Sequence, residues 1–223
     1  MNYPLPTGVK AVSVLRENKG IFSGIYGKIY RGIDMKIVLA SASPRRKALL
    51  KVLGLDFEVV VSDAEEKIDC NTSVCETVMK LSLEKAKAVF EKLEKDCIVI
   101  GADTVVSCGG KILGKPKDKN EAFEMLKMLS GVKHTVYTGF TVISNSDGKT
   151  VTDFEATDVT FKRLSDKEIY NYIENNNVSD KAGAYSIQGT ASSFVERLDG
   201  DYNNVVGLPI YKLSKYLYKD YGI

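Results

Sequence analysis

One histidine, His134, in 223 residues rules out a multi-histidine metal site and leaves a single candidate for any Ser-His or Cys-His chemistry. It lies in a strand-like stretch, residues 133–142, where a histidine reads as a surface or satisfied side chain, so acid–base work falls to carboxylates. The four cysteines, Cys70, Cys75, Cys97 and Cys108, form no C-x-x-C pair, and a chain of this length in a reducing compartment needs no disulfide frame. They read as reduced and structural. Charge of one sign is also lacking: 31 basic residues face 29 acidic ones, which gives no sign of a nucleic-acid polyelectrolyte surface or a polybasic membrane anchor. No apolar run reaches the roughly 18 residues of a membrane helix, and the N-terminus lacks a signal peptide's charged start and apolar middle. The expectation is a cytoplasmic protein with no membrane or nucleic-acid partner.

What is present is enough apolar side chain, 44% of the chain, to bury a real core in one domain or two small lobes. Residues 1–34 differ from the rest. They are Gly-rich and carry Lys10, Arg16, Lys19, Lys28 and Arg31 against Glu17 and Asp34, a local +3 that leaves −1 for the remainder of the +2 chain. They read as an N-terminal extension, disordered or not native to the domain, and residues 35–223 as the domain itself.

The stretch that organises the domain is 36–54, KIVLASASPRRKALLKVLG. Residues 36–40 suit a buried strand, and Lys47, Ala48, Leu49, Leu50 and Leu53 follow helical spacing up to Gly54. Ser43 is a good N-cap and Pro44 suits the first helical position, so the helix is predicted to start there. Its first turn carries Arg45 and Arg46, which oppose the helix dipole. Free N–H groups, two guanidinium forks and the hydroxyls of Ser41 and Ser43 instead suit an anion such as phosphate.

Further along, residues 57–61 read as a second strand, followed by the acidic turn that holds Glu65 and Glu66. Ser73-x-x-Glu76 is a capping box for a helix to about residue 95, on which Lys80, Lys85 and Lys87 read as solvated. Residues 97–100 form an apolar strand expected to stop at Gly101-Ala102-Asp103-Thr104, which puts Asp103 at a carboxyl end, where α/β proteins place site residues. A hairpin turning at Gly109-Gly110 follows, then a helix capped by Asp118 and ended by Gly131. Two long strands over 135–144 and 149–162, a helix opened by Ser165-x-x-Glu168, polar loops at 180–189 and 200–204, a strand near 193–197 and a last helix after Pro209 complete the chain. Alternation early and hairpins in the middle predict an α/β fold: an elongated, mixed, twisted sheet with packed helices, in two lobes around a central cleft.

Gly109 to Lys115 matches the first seven positions of a P-loop, but Pro116 stands where a hydroxyl must hold magnesium, and the segment lies in a hairpin rather than between strand and helix. The P-loop is rejected. Glu65, Glu66 and Asp103 each follow an apolar strand, and carboxylates gathered at strand ends can hold a hard divalent cation together with substrate phosphates. Gln188 presents an amide able to pair with the edge of a base.

These residues resemble the Maf proteins, also called septum-formation proteins. The resemblance runs from Met35 to the C-terminus through Ser41-Ala42-Ser43-Pro44-Arg45-Arg46, Glu65-Glu66, Leu83-Glu84-Lys85-Ala86, Gly101-Ala102-Asp103-Thr104, Gly114-Lys115-Pro116, Leu129-Ser130-Gly131, residues 180–189 and Gly207-Leu208-Pro209. It implies a nucleoside triphosphate pyrophosphatase that cleaves between the α and β phosphates with Mg2+ or Mn2+. By resemblance, Asp103 is the proton acceptor, Glu65 the metal-associated acid, and Arg45, Lys85 and Lys115 triphosphate ligands. Arg45, Thr104 and Gln188 occupy positions linked to base choice, and residues 185–189 resemble the branch acting on dTTP and UTP rather than on 7-methyl-GTP. Ser186 stands where glycine is expected. Members are often dimers, so a homodimer is implied. The rival expectations are a cell-division regulator that acts by binding, and the same chemistry on 7-methyl-GTP or another modified or purine nucleotide.

Overall fold

The computed structural model describes residues 35–64, 72–93, 96–144 and 148–221. The expectations for residues 1–34 and for Glu65 and Glu66 fall outside them. Among the described residues no helix is long and apolar enough to cross a membrane.

Strand β1 (Lys36–Leu39) leads into helix α1 (Pro44–Val52). The cap is the expected one: the Ser43 side chain accepts from the Arg46 N–H, Pro44 opens the helix, and Gly54 takes φ 72° just past its end. After the short β2 (Glu58–Val59) comes α2 (Val74–Phe90), whose capping box between Ser73 and Glu76 is complete. This helix ends short of residue 95. Lys92 and Leu93 bond back to Val89 and Phe90, a tightening that closes the last turn.

Strand β3 (Cys97–Cys108) turns at Gly109 and Gly110 into β4 (Lys111–Leu113). Helix α3 (Lys119–Leu129), capped by Asp118, precedes the long strands β5 (Lys133–Ser144) and β6 (Thr150–Phe161). Helix α4 (Asp166–Asn175), strand β7 (Val195–Asp199) and helices α5 (Tyr202–Val206) and α6 (Ile210–Tyr221) complete the order. The seven strands form one sheet in the order β2-β1-β3-β5-β6-β7, with β4 added to β3. β1 is parallel to both neighbours, and the other pairings are antiparallel. This is the expected mixed α/β architecture.

One expectation is overturned here. β3 does not stop at Gly101 but runs on through Asp103 and Thr104 to Cys108, paired with β5 all the way from Ile98 to Ser107. Asp103 therefore sits inside a strand rather than at its end. The glycine is there because helix α2 lies directly on the strand: a Cβ at Gly101 would fall 2.5 Å from the Ser82 carbonyl oxygen and 2.8 Å from the Ala86 nitrogen. Gly139, the residue opposite Asp103 on β5, serves the same purpose, since a Cβ there would meet the Val78 oxygen at 2.2 Å.

The sheet separates two apolar layers. Beneath α2, Val38, Ala40, Val99 and Ile143 meet Ala86 and Val89. On the opposite face Leu39, Ile98, Ile100, Phe140 and Phe161 pack with Leu50, Leu126, Ile169 and Leu213 from four helices. Strand alternation puts Asp103 on the α2 face and Thr104 on the other.

Candidate active site

The site lies where β3 lacks a neighbour. β1 pairs with β3 only as far as Ile100, and β4 begins to pair at Val106, so residues 101–105 have an open edge on that side. Because the opening is at an edge, side chains from both faces of β3 reach it. A cleft of about 300 Å³ occupies this gap, within the size range of small-molecule sites. Its walls come from the start of α1, from residues 61–64, from 180–186 and from the turn after α5.

Asp103 and Lys85 meet in the cleft floor. The Lys85 ammonium donates to Oδ1 of Asp103, and their side chains are 12% and 8% exposed. The reading of Lys85 as a solvated helix lysine is thereby corrected; Lys80 and Lys87 on the same helix are exposed. The reason is the glycine contact, which brings α2 close enough for the residue between Ser82 and Ala86 to overhang the strand. Oδ2 of Asp103 has no partner among the described residues and remains an acceptor in the cleft.

The two arginines of α1 part ways. Arg45 lies at the rim, 3.5 Å from both the Oδ2 and the carbonyl oxygen of Asp180. Arg46 turns inward: Nε donates to the Gly207 carbonyl at 2.8 Å, Nη2 to Thr104 Oγ1 at 2.9 Å and Nη1 to Ser41 Oγ at 3.3 Å. It ties the strand β1 exit, strand β3 and the turn after α5 into one frame. Gly207, with φ 125°, comes close enough for a Cβ to touch both Thr104 and Arg46.

Ser41, Ser43, Arg45, Arg46, Lys85, Asp103, Thr104 and Lys115 all line this one cleft. Lys115 projects into it as an exposed side chain after β4. Gln188 is exposed and does not line the cleft; its neighbour two residues back, Ser186, does. Ser186 donates its N–H to the Tyr172 hydroxyl at 3.2 Å. It has no positive φ, so the backbone makes no demand for glycine at that position.

Sequence reasoning missed Asp180 and Lys181 as cleft residues. Burial pushes the Asp180 carboxyl up, but the hydrogen bond and charge of Lys181 and the charge of Arg45 outweigh it and hold it below the usual carboxylate value. It also missed helix α5, which begins where Asp201 accepts from the Asn203 N–H at 2.7 Å; an Asp two residues before Asn-Asn was the available signal. His134 is a buried core residue outside the cleft, with a partner at Nε2 but none at Nδ1 among the described residues. Its Nε2 is 2.9 Å from the Tyr185 hydroxyl, and burial lowers its pKa to about 4.

A mixed α/β sheet whose open edge is flanked by a capped helix start, a buried carboxylate–ammonium pair and further cations defines a binding site for a polyanionic small molecule. The chain belongs to the Maf family: the family model described as Maf-like protein matches residues 36–220. A dTTP/UTP pyrophosphatase of Thermoanaerobacter sp. (strain X514) is 54% identical over 189 residues, covering 85% of this chain and 98% of the relative. A protein of the same name from Alkaliphilus oremlandii (strain OhILAs) is 55% identical over 188 residues, covering 84% and 97%. The Ham1 protein of Staphylococcus aureus shares the fold, with a TM-score of 0.50 at 15% identity over 83% of this chain and 99% of that one.

Proposed function

We propose that this protein is a nucleoside triphosphate pyrophosphatase that hydrolyses dTTP and UTP to the monophosphate and pyrophosphate. The observation that supports it most is the Lys85–Asp103 pair in the floor of a cation-lined cleft, in a chain more than half identical to proteins named for that activity. Arg45 and Lys115 bind the triphosphate from the rim. Lys85 holds the Asp103 carboxylate in place through Oδ1 and offers positive charge to the phosphates, while Oδ2 accepts the proton of the attacking water. The water oxygen bonds to the α-phosphorus, the α–β bridging P–O bond breaks, and its electron pair leaves with pyrophosphate.

The donor set fits a hard cation that shares its ligands with the substrate. Asp103 offers one free carboxylate oxygen, and no group of three His, Cys, Asp or Glu side chains among the described residues could hold a metal by itself. Mg2+ is commonly held by one or two carboxylates together with substrate phosphates. Asp103 with Glu65, the latter outside the described residues, would hold Mg2+ or Mn2+, which would neutralise phosphate charge. Gln188 and Thr104 contribute to base choice, the protein works in the cytoplasm, and the domain begins at Met35. A chain started at Met35 should therefore keep both activity and melting temperature.

The test is a panel of nucleoside triphosphates assayed for pyrophosphate release with and without Mg2+ or Mn2+. dTTP and UTP should show the highest kcat/KM. Release of orthophosphate instead of pyrophosphate would exclude attack at the α-phosphorus, and preference for 7-methyl-GTP or a purine nucleotide would exclude the substrate assignment.

A further inference from the structure

Arg46 touches two hydroxyls that face the same cleft, and the bonds around each leave it with the opposite capability. Ser41 Oγ accepts from Arg46 Nη1 at 3.3 Å and from the Ser43 N–H at 3.2 Å. A hydroxyl has two acceptor positions and one hydrogen. Both acceptor positions of Ser41 are filled, so what it has left for the cleft is its O–H.

Thr104 is in the reverse state. Its Oγ1 accepts from Arg46 Nη2 at 2.9 Å and lies 2.9 Å from Thr138 Oγ1. Thr138 in turn lies 2.9 Å from the Asn204 carbonyl oxygen, which can only accept. The single hydrogen of Thr138 is therefore committed to Asn204, and the Thr104 hydrogen must fill the contact between the two threonines. Reversing that order would set the Thr138 and Asn204 oxygens against each other at 2.9 Å with no hydrogen between them. The chain runs one way, from the Arg46 guanidinium through Thr104 and Thr138 to the Asn204 carbonyl. Thr104 then offers the cleft only a lone pair.

We infer that Arg46 and Thr138 are positioning residues that give the cleft a polarity, with a donor hydroxyl at Ser41 for phosphate and an acceptor hydroxyl at Thr104 for a hydrogen-bond donor of the nucleoside. The phosphates of an ionised triphosphate present acceptors only, so Thr104 cannot serve them. Resting on the pyrophosphatase reading, the donor must be one that dTTP and UTP share. The ribose 2′-hydroxyl is absent from dTTP. The pyrimidine N3–H and the sugar 3′-hydroxyl are the shared donors. Thr138 is fully buried and does not line the cleft, so it acts on the ligand only through Thr104.

The experiment measures kcat/KM for UTP, CTP and 3′-deoxy-UTP in the full-length wild type, Thr138→Val and Thr138→Ser. In the wild type one analogue should fall at least about tenfold below UTP, the scale of one hydrogen bond lost or opposed. That analogue is CTP if the base supplies the donor, because its N3 is an acceptor, and 3′-deoxy-UTP if the sugar does. Thr138→Val has nearly the same shape but releases the Thr104 hydrogen, and should shrink that ratio by about as much; Thr138→Ser should restore it. An unchanged ratio in folded Thr138→Val overturns the inference, because a purely structural role would lower stability without changing discrimination. Wild-type ratios near one for both analogues also overturn it, and these decide the matter should Thr138→Val not fold. Absence of pyrophosphate release from dTTP and UTP in the wild type removes the pyrophosphatase reading and this inference together, whereas normal release with unchanged ratios removes the inference alone.

Discussion

The Lys85 ammonium on α2 donates to the Asp103 carboxylate on β3, and the two side chains are only 12% and 8% exposed. A pair so enclosed is held by geometry from both elements, and one oxygen of the carboxylate is left facing the cleft. Asp103→Asn keeps an acceptor for Lys85 but loses the basic oxygen. Turnover of dTTP should fall at least about a hundredfold, while the thermal transition remains cooperative. Recovery in excess Mg2+ would assign Asp103 to metal binding, and near-normal turnover in the folded variant would remove it from the chemistry.

Arg45 approaches Asp180 at 3.5 Å, longer than a good charge-assisted hydrogen bond. Asp180 is thus a loosely held counter-ion that a phosphate can replace. Asp180→Asn should lower KM about two- to fivefold, the scale of a partly exposed ion pair. Arg45→Ala should raise KM and reduce kcat, and Arg45→Lys should recover little because the ammonium lacks the planar fork. Steady-state kinetics on the variants checks both, and an unaltered KM in Asp180→Asn would show that the pair does not compete with substrate.

A methyl group at Gly101 has nowhere to go, since the atoms nearest to it are the Ser82 carbonyl, the Ala86 nitrogen and the Ala86 Cβ, all within 2.9 Å. Gly101→Ala must lift α2 off the sheet. Overpacking of this kind costs about 1–3 kcal/mol, and here it also carries Lys85 away from Asp103. Denaturant unfolding should show that loss together with reduced turnover; a variant as stable and active as the wild type would mean that α2 moves freely.

Local chemistry made much of this readable from the sequence. Ser43, Pro44 and Gly54 set the limits of α1, and the Ser73 and Ser165 capping boxes formed as their spacing implied. The misreadings share a cause. Gly101 looked like a strand stop because glycine commonly breaks strands, yet its reason is packing rather than local propensity: the contact with Ser82 and Ala86 of the preceding helix is visible only once α2 packs on the strand. The same contact turned Lys85 from a surface lysine into the partner of Asp103. Asp180 lies 135 residues from Arg45, and nothing local to either residue announces the other. Arg46 was legible as a cleft residue but not as one whose nitrogens are directed at Ser41, Thr104 and Gly207.

Burial holds His134 neutral, with a pKa near 4 against 6.5 for an exposed imidazole. The unfolded chain takes up a proton near 6.5 and the folded protein resists until about 4. The stabilisation is therefore complete above the unfolded value and is lost as pH falls from there toward the folded one, roughly 3 kcal/mol in all. Melting temperatures measured between pH 7.5 and 4.5 should drop more steeply for the wild type than for His134→Gln. Equal slopes would show that the folded protein protonates His134 without penalty.

The open edge of β3 between Ile100 and Val106 bears on how such a site can change over time. The Ile100 carbonyl points toward β1, where Ala40 donates to it at 2.8 Å, and strand alternation turns the main-chain groups of Ala102 and Thr104 the same way. Nearly every substitution leaves a peptide N–H and carbonyl in place. Mutational drift therefore works on the side chains of the rim, in residues 41–46 and 180–186, while the main-chain edge of β3 is inherited unaltered. New substrate preferences can arise on this scaffold without rebuilding the open strand edge beside the cleft.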